Sequence, residues 1–299
     1  MSDFPVIAVE GLTKYYGSVV GIRDVSFSVE GGEIFGFLGP NGAGKTTTIR
    51  LLLDLLRPSG GKIYYWGKEV SRNSTVIRRS CGYLPGNFIA YRHMKGAEFL
   101  RFAARLRGIS PKMLPKLLER FGLSEEDLSR KIKHLSHGTL QKVGIVQAFF
   151  HEPELLILDE PTMGLDPLMQ EEFYKLLHEF QEAGSTIFFS SHNLTEVEKV
   201  CQRAAIVRGG ELAAVEALED LKKKRCRKLR LTLRQPLDLT LLAGAQLIKK
   251  EGLKYEFFVK GSMEALLKSL SDLPVEDVVF CEPDLEEVFR AYYRNTADE

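Results

Sequence analysis

The sequence predicts an α/β fold, a core of strands and crossover helices carrying a helical insert, followed by a small α+β module. Apolar stretches with strand alternation recur along the N-terminal part, with helical stretches between them. From about Phe88 to Phe150 the pattern turns helical, with charged faces and no convincing strand. Beyond the basic run "KKKRCRK", Lys222 to Lys228, shorter alternating stretches resume. The first unit is expected over residues 1–215, its helical subdomain over about 88–150, and an accessory α+β domain over 216–299.

Element by element, "VIAVEGL" and "VSFSVEGGEIFGFLGP" alternate as strands, the second running into a glycine-rich turn. "KTTTIRLLLDLL", Lys45 to Leu56, has helical spacing and stops before Pro58. "GKIYYWG" and "RSCGYLP" read as strands. "ELLILDE" and "STIFFSS" follow, separated by a helix that starts after Pro167, with Phe188 and Phe189 as core packing of a central strand. "AAIVRGGELAAV" is a hairpin. In the C-terminal module "LRLTLR", "AQLIKK", "KYEFFVK" and "VEDVVF" are strands, and "SMEALLKSL" and "DLEEVFRAYY" are helices. There is no internal repeat and no low-complexity segment.

A net charge of +1 gives no global attraction to nucleic acid or acidic lipid. The four cysteines, Cys81, Cys201, Cys226 and Cys281, lie too far apart for a zinc or redox pair and read as reduced cytosolic thiols. "MSDFPVIAVEGL" carries an early acid and no apolar h-region, so no secretory signal is expected, and the "NST" and "NLT" acceptor patterns at Asn73 and Asn193 carry no glycan. No apolar run approaches the ~18 residues that span a bilayer. A role at a membrane therefore requires a second, spanning chain. The basic run reads as a solvated linker face, and without interleaved aromatics it is no platform for nucleic acid.

The chemistry concentrates in three places. "GPNGAGKTT" fits G-x-x-x-x-G-K-[ST] from Gly39 to Thr46, between a strand and a helix. Gly39, Gly42 and Gly44 let the backbone point N–H groups at phosphate oxygens, and the helix beginning near Lys45 adds its positive end. Lys45 then reaches the β- and γ-phosphates, and Thr46 is placed to bind Mg²⁺. "LLILDEP" is a buried strand ending in two acids, a costly arrangement unless it is used. Asp159 is suited to the metal and Glu160 to polarising an attacking water. His192, after "FFSS", follows a strand expected to end beside that one and can hydrogen-bond a γ-phosphate oxygen. Its spacing from Asp159 fits one crossover in a parallel sheet.

These pieces, in this order from about Val6 to Glu211, resemble the ATP-binding subunit of an ABC transporter, of the branch serving drug, peptide and polysaccharide exporters. "GPNGAGKTT" is similar to the Walker A loop, "LLILDE" to Walker B, "GLDP" (Gly164 to Pro167) to the D-loop and "SSHNL" to the switch-histidine segment. "TKYYG" resembles the loop whose aromatic, here Tyr16, stacks on adenine. "LSHGTLQK" stands where the family has LSGGQ. "EPDLEEVFRAYY" is similar to the C-terminal extension of such exporters. The resemblance implies a RecA-like P-loop NTPase core with an antiparallel β subdomain and an inserted helical subdomain. It implies ATP and Mg²⁺ as ligands, held by Tyr16, Gly39, Pro40, Asn41, Gly42, Ala43, Gly44, Lys45, Thr46, Thr47 and Asp159, with Lys45, Glu160 and His192 catalytic. Ser136 and Gly138 would complete the site of the opposite subunit, and Asp166 would face that subunit.

The expected protein is therefore an ATPase on the inner face of the cell membrane, a homodimer bound to a separate permease, with no nucleic-acid partner. Two departures stand against the family pattern: Gly86 replaces the Gln or Glu that follows the "GYLP" strand, leaving Asn87 as a neighbour of uncertain use, and Met163 precedes "GLD". In the signature, His137 is expected to point away from nucleotide, and Gln141 to stand near for the glutamine that Thr139 replaces. A catalytically weak regulatory subunit of a heterodimer, or a soluble ABC ATPase without a transport role, remain the alternatives.

Overall fold

The computed structural model describes residues 4–70, 80–223, 227–237, 242, 244–259 and 263–281. The chain divides into two compact units, Met1–Leu218 and Glu219–Glu299.

The first unit contains two sheets. One is antiparallel, with strand order β2-β1-β4-β5, from β1 (Ile7–Tyr16), β2 (Val19–Val29), β4 (Gly60–Tyr65) and β5 (Lys68–Glu69). The other has the order β10-β9-β3-β8-β7-β6, from β3 (Ile34–Leu38), β6 (Cys81–Leu84), β7 (Leu155–Asp159), β8 (Thr186–Ser191), β9 (Arg203–Arg208) and β10 (Glu211–Ala217). Strands β3, β6, β7, β8 and β9 run parallel, and β10 pairs antiparallel with β9 as the expected hairpin. Phe27 of β2 packs on Phe35, Phe37 and Phe188, with ring centroids 5.5–5.9 Å apart, joining the two sheets through one apolar core. Parallel strands buried on both faces read as unbroken apolar runs, and β7 and β8 are buried at every position.

Three local expectations differ from the structure. The stretch "VSFSVEGGEIFGFLGP" is split: its first half ends β2 in one sheet, a turn at Gly31 and Gly32 follows, and its second half is β3 in the other. "TKYYG" is not a free loop but the end of β1, which reaches Tyr16 through several register shifts. Helix α1 (Lys45–Leu52) stops short of Leu56, because Asp54 takes the left-handed conformation at φ 54°. The Leu55 and Leu56 N–H groups then return to the Arg50 carbonyl.

Between β6 and β7 lie α2 (Gly96–Arg107), α3 (Leu114–Arg120), α4 (Glu125–Ser129) and α5 (His137–Phe149). Ser136 caps α5 by accepting the Thr139 N–H at 3.1 Å. Helix α6 (Pro167–Glu182) connects β7 to β8, which are adjacent and parallel with Asp159 opposite Ser190. Helix α7 (Leu194–Val200) leads to β9, and α8 (Leu218–Lys223) follows β10. No helix among the described residues is long and apolar enough to cross a membrane.

The second unit is an antiparallel sheet of order β12-β13-β11-β14, from β11 (Arg227–Leu233), β12 (Ala245–Glu251), β13 (Lys254–Val259) and β14 (Val275–Cys281). Helix α9 (Met263–Ser271) contributes Leu266 and Leu270 to a core with Leu229, Leu231, Tyr255 and Phe257. The expected helix "DLEEVFRAYY", Asn73, the middle of the basic run and Cys226 lie outside the described residues. Cys81 and Cys201 are free, buried thiols.

Candidate active site

Strands β3, β7 and β8 end side by side, and everything polar at the site hangs from those three ends. After Leu38 the backbone turns through the loop Gly39–Gly44 into α1. Gly44 sits at φ +104°, and a Cβ there would lie 2.6 Å from the Ile22 side chain, so only glycine fits. Gly39 donates its N–H to the Ser191 carbonyl at 3.1 Å, and Ala43 donates to the Pro40 carbonyl at 3.1 Å, which ties the loop to β8 and to itself. Lys45 is 6% exposed and curls back over the loop. Its ammonium donates to the carbonyls of Gly39 (2.6 Å) and Pro40 (3.1 Å) and lies 3.1 Å from Glu160 Oε1.

Asp159 is buried at 2% exposure, and both its oxygens accept hydroxyl protons: Oδ2 from Thr46 at 2.8 Å and Oδ1 from Ser190 at 2.7 Å. Both donors are neutral. The negative charge is felt nearby, where burial first and Asp159 second push the Tyr83 phenol up to about 12. A buried carboxylate flanked by hard oxygen donors fits Mg²⁺. Among the described residues no group of three acidic, His or Cys side chains forms a cage, so such an ion would draw its other ligands from phosphate and water.

Glu160 adopts φ 47°, rare for a residue with a side chain. Its N–H is shared between the Ser190 carbonyl (3.2 Å) and hydroxyl (3.1 Å), which holds the strained residue in place. Oε2 lies 2.6 Å from His192 Nδ1. A carboxylate only accepts, so Nδ1 carries the proton and Nε2 faces outward, on an imidazole whose side chain is 54% exposed. Oε1 contacts Lys45 by charge without an aligned hydrogen bond, and two of the three ammonium protons go to the loop carbonyls.

A cleft of about 350 Å³ opens over this cluster, lined by Tyr16, Asn41, Gly42, Gly44, Lys45, Thr46, Thr47 and Glu160, with Val19, Val20 and Gly21 of β2. Tyr16 is 44% exposed at the rim, its hydroxyl 3.5 Å from that of Thr47. Ser136, Gly138 and Asp166 are absent from the lining. Asp166 caps α6 by accepting the Met169 N–H at 3.0 Å, and a Cβ on Gly138 would come 2.9 Å from the Gly164 carbonyl, so the signature turn rests on the D-loop of its own chain. His137 is not part of the cleft lining, and its Nδ1 is 2.3 Å from where a Cβ on Gly164 would stand, so the imidazole lies on a residue that must be glycine. Gln141 is not available for nucleotide, contrary to expectation. It is buried and donates to the Pro161 carbonyl at 2.8 Å.

The residue that sequence reasoning missed is Ser190, which holds both Asp159 and the Glu160 backbone; the register of two parallel strands put it there. Gly86 lies directly against Asp159, since a Cβ on it would be 3.1 Å from the Asp159 carbonyl and 3.5 Å from its carboxylate. Asn87 is exposed. Met163 is also exposed, at 46%.

The ABC transporter family profile matches residues 22–163. An uncharacterized ABC transporter ATP-binding protein of Nostoc sp. is 44% identical over 72% of this chain and 68% of its own. The bacitracin transport ATP-binding protein BcrA of Bacillus licheniformis is 40% identical over 73% of this chain and 72% of its own. A solved ATP-binding subunit of an ABC transporter superposes with a TM-score of 0.68 at 35% identity, covering 73% of this chain and 92% of that one. Set beside a phosphate loop, a paired acid strand and a histidine turn that meet at one cleft, these likenesses place the chain in the ABC transporter ATP-binding family.

Proposed function

We propose that this chain is the ATP-hydrolysing subunit of an ABC exporter, acting as a head-to-tail homodimer beneath a separate membrane permease on the inner face of the cell membrane. One observation carries the reading: Lys45, Thr46 and Glu160 line a single cleft, and Asp159 and His192, from neighbouring strand ends, are hydrogen-bonded to Thr46 and Glu160 of that lining. In it the loop amides, the α1 N-terminus and Lys45 bind the phosphates. Glu160 polarises the attacking water, and His192 Nε2 holds a γ-phosphate oxygen. Mg²⁺ at Thr46 and Asp159 would supply positive charge to the β- and γ-phosphate oxygens. Ser136 and Gly138 neither line the cleft nor hydrogen-bond to a residue that does, which supports their use in a partner's site. Closure around two shared nucleotides then works as a switch, because ATP binds the closed state preferentially.

Likeness to a bacitracin transport protein supports transport as the output. Exposed apolar side chains just past Gly86 support a permease contact: Ile89 is 74% and Tyr91 62% exposed, and Tyr91 packs edge-on against Phe102 at 5.5 Å. The test is biochemical. The purified chain should hydrolyse ATP in a Mg²⁺-dependent way, Lys45→Ala should abolish turnover, and Glu160→Gln should accumulate an ATP-dependent dimer on size exclusion. Turnover that survives Lys45→Ala sinks the assignment. Gly86 favours one second reading, a weak regulatory subunit that needs a catalytic partner chain. An ATPase rate indistinguishable from background for the isolated chain, with ATP binding intact, would select it.

A further inference from the structure

Glu196, in the first turn of α7, takes no part in the phosphate chemistry above, yet it joins the two segments that deliver it. One of its oxygens accepts the Ser191 hydroxyl at 2.7 Å and the other accepts the Thr162 hydroxyl at 2.8 Å. Both hydroxyl residues are buried, Ser191 at 0% and Thr162 at 4% exposure. Ser191 immediately precedes His192, and Thr162 lies two residues past Glu160. The span closed by this carboxylate therefore contains the contact between the two groups proposed for the attacking water and the γ-phosphate, His192 Nδ1 to Glu160 at 2.6 Å.

The proton count leaves little freedom. The Ser191 oxygen already accepts the Asn193 N–H at 2.9 Å, so its single proton goes to Glu196 at 2.7 Å in preference to the Asn193 carbonyl at 3.4 Å. Thr162 likewise has one proton, and it points at the other carboxylate oxygen. A carboxylate, with an acceptor oxygen for each hydroxyl and no donor, accepts from both at once. Glu196 is not needed to start α7, because Asn193 caps that helix by accepting the Thr195 N–H at 3.0 Å.

We propose that Glu196 is a positioning residue that braces the His192 turn against the Pro161–Asp166 loop, fixing the Glu160–His192 pair for hydrolysis. The effect on turnover rests on the ATPase reading above; the brace itself does not. Full-length protein labelled at histidine ¹³Cε1 gives a His192 signal, assigned by its loss in His192→Gln. Glu196→Ala should shift or broaden that signal, and Glu196→Gln, which keeps one acceptor and can donate to the other hydroxyl, should return it part of the way. In turnover, Glu196→Ala should lower kcat by about 10- to 100-fold, as for a displaced catalytic group, with KM for ATP within about 3-fold. Thr162→Val, which removes one strut at nearly constant volume, should show a smaller loss and covers the case in which Glu196→Ala folds poorly. An unmoved His192 signal in Glu196→Ala or Thr162→Val overturns the brace, as do equal losses in the Ala and Gln variants with KM rising in step. A His192 signal that moves in a chain with no ATPase activity upholds the brace and overturns the enzymatic reading instead.

Discussion

Glu160 Oε1 lies 3.1 Å from Lys45, the ammonium proposed to reach the γ-phosphate, while Oε2 lies 2.6 Å from His192 Nδ1 and leaves Nε2 of that ring for a phosphate oxygen. A triphosphate must therefore compete with this carboxylate for Lys45, and a diphosphate far less. Replacing Glu160 by Gln keeps the shape and removes the charge. At 3.1 Å and an effective dielectric constant of about 20, the ion pair carries roughly 5 kcal/mol of gross attraction. Most of that is offset by hydration of the released groups, leaving about 1–2 kcal/mol as the net penalty on ATP, a factor of about 5–30. Glu160→Gln should thus tighten ATP by about that factor and tighten ADP far less, while kcat falls by about 10²- to 10⁴-fold through loss of the general base. Calorimetric titration with each nucleotide, beside a phosphate-release assay, reads both quantities. Equal tightening of ATP and ADP would refute the displacement argument, and undiminished turnover would refute the role of Glu160.

Four further outcomes follow from particular residues. Ser190→Ala removes the hydroxyl held by Asp159 Oδ1 and shared by the Glu160 N–H, and should cost about 1–3 kcal/mol in denaturant unfolding and reduce turnover. His151 is a partly buried histidine; burial first, and the nearby Arg107 cation second, pull its pKa down to about 4. The unfolded chain binds its proton first, so this residue makes stability fall as pH drops from about 6.5 toward about 4, and His151→Leu should flatten the melting temperature across that window. His137→Gly uncovers Gly164 without touching the cleft and should change ATPase activity by no more than about 3-fold, under 1 kcal/mol. Ser136→Ala combined with Gly138→Asp should abolish it, because Gly138 has no room for a side chain against the Gly164 carbonyl.

The parallel core was legible because burial on both faces writes itself as apolar runs such as "LLILD" and "TIFFSS", and the phosphate loop because glycine spacing between strand and helix has few other uses. Other features depend on contacts distant in the chain. Nothing local at "EGGE" says that β2 and β3 part into different sheets; that follows from Phe27 packing across to Phe188. The early end of α1 rests on Asp54 taking a conformation usually given to glycine. Gln141 looked free for nucleotide because its partner, the Pro161 carbonyl, lies 20 residues away and makes no sequence pattern. Ser190 was hidden for the same reason, since its role exists only once β7 and β8 are in register.

The adjacent acids show how backbone geometry assigns different work to similar groups. On a regular strand neighbouring side chains point to opposite faces, so Asp159 and Glu160 could not both reach one cleft. Asp159 is the last residue of β7 and keeps the strand direction, buried between two hydroxyls. Glu160 leaves the strand at φ 47°, which swings its carboxylate to the same side, 3.1 Å from Lys45 and 2.6 Å from His192. The conformation costs about 1–3 kcal/mol and is held by the bifurcated bond to Ser190 and by the turn in which Met163 N–H returns to the Glu160 carbonyl at 3.2 Å. Glycine at that position would relieve the strain and lose the base, whereas a β-branched residue would break the turn. The strain is thus the cost of bringing two adjacent carboxylates to one side of the strand end, one held between two hydroxyls and the other set against Lys45 and His192.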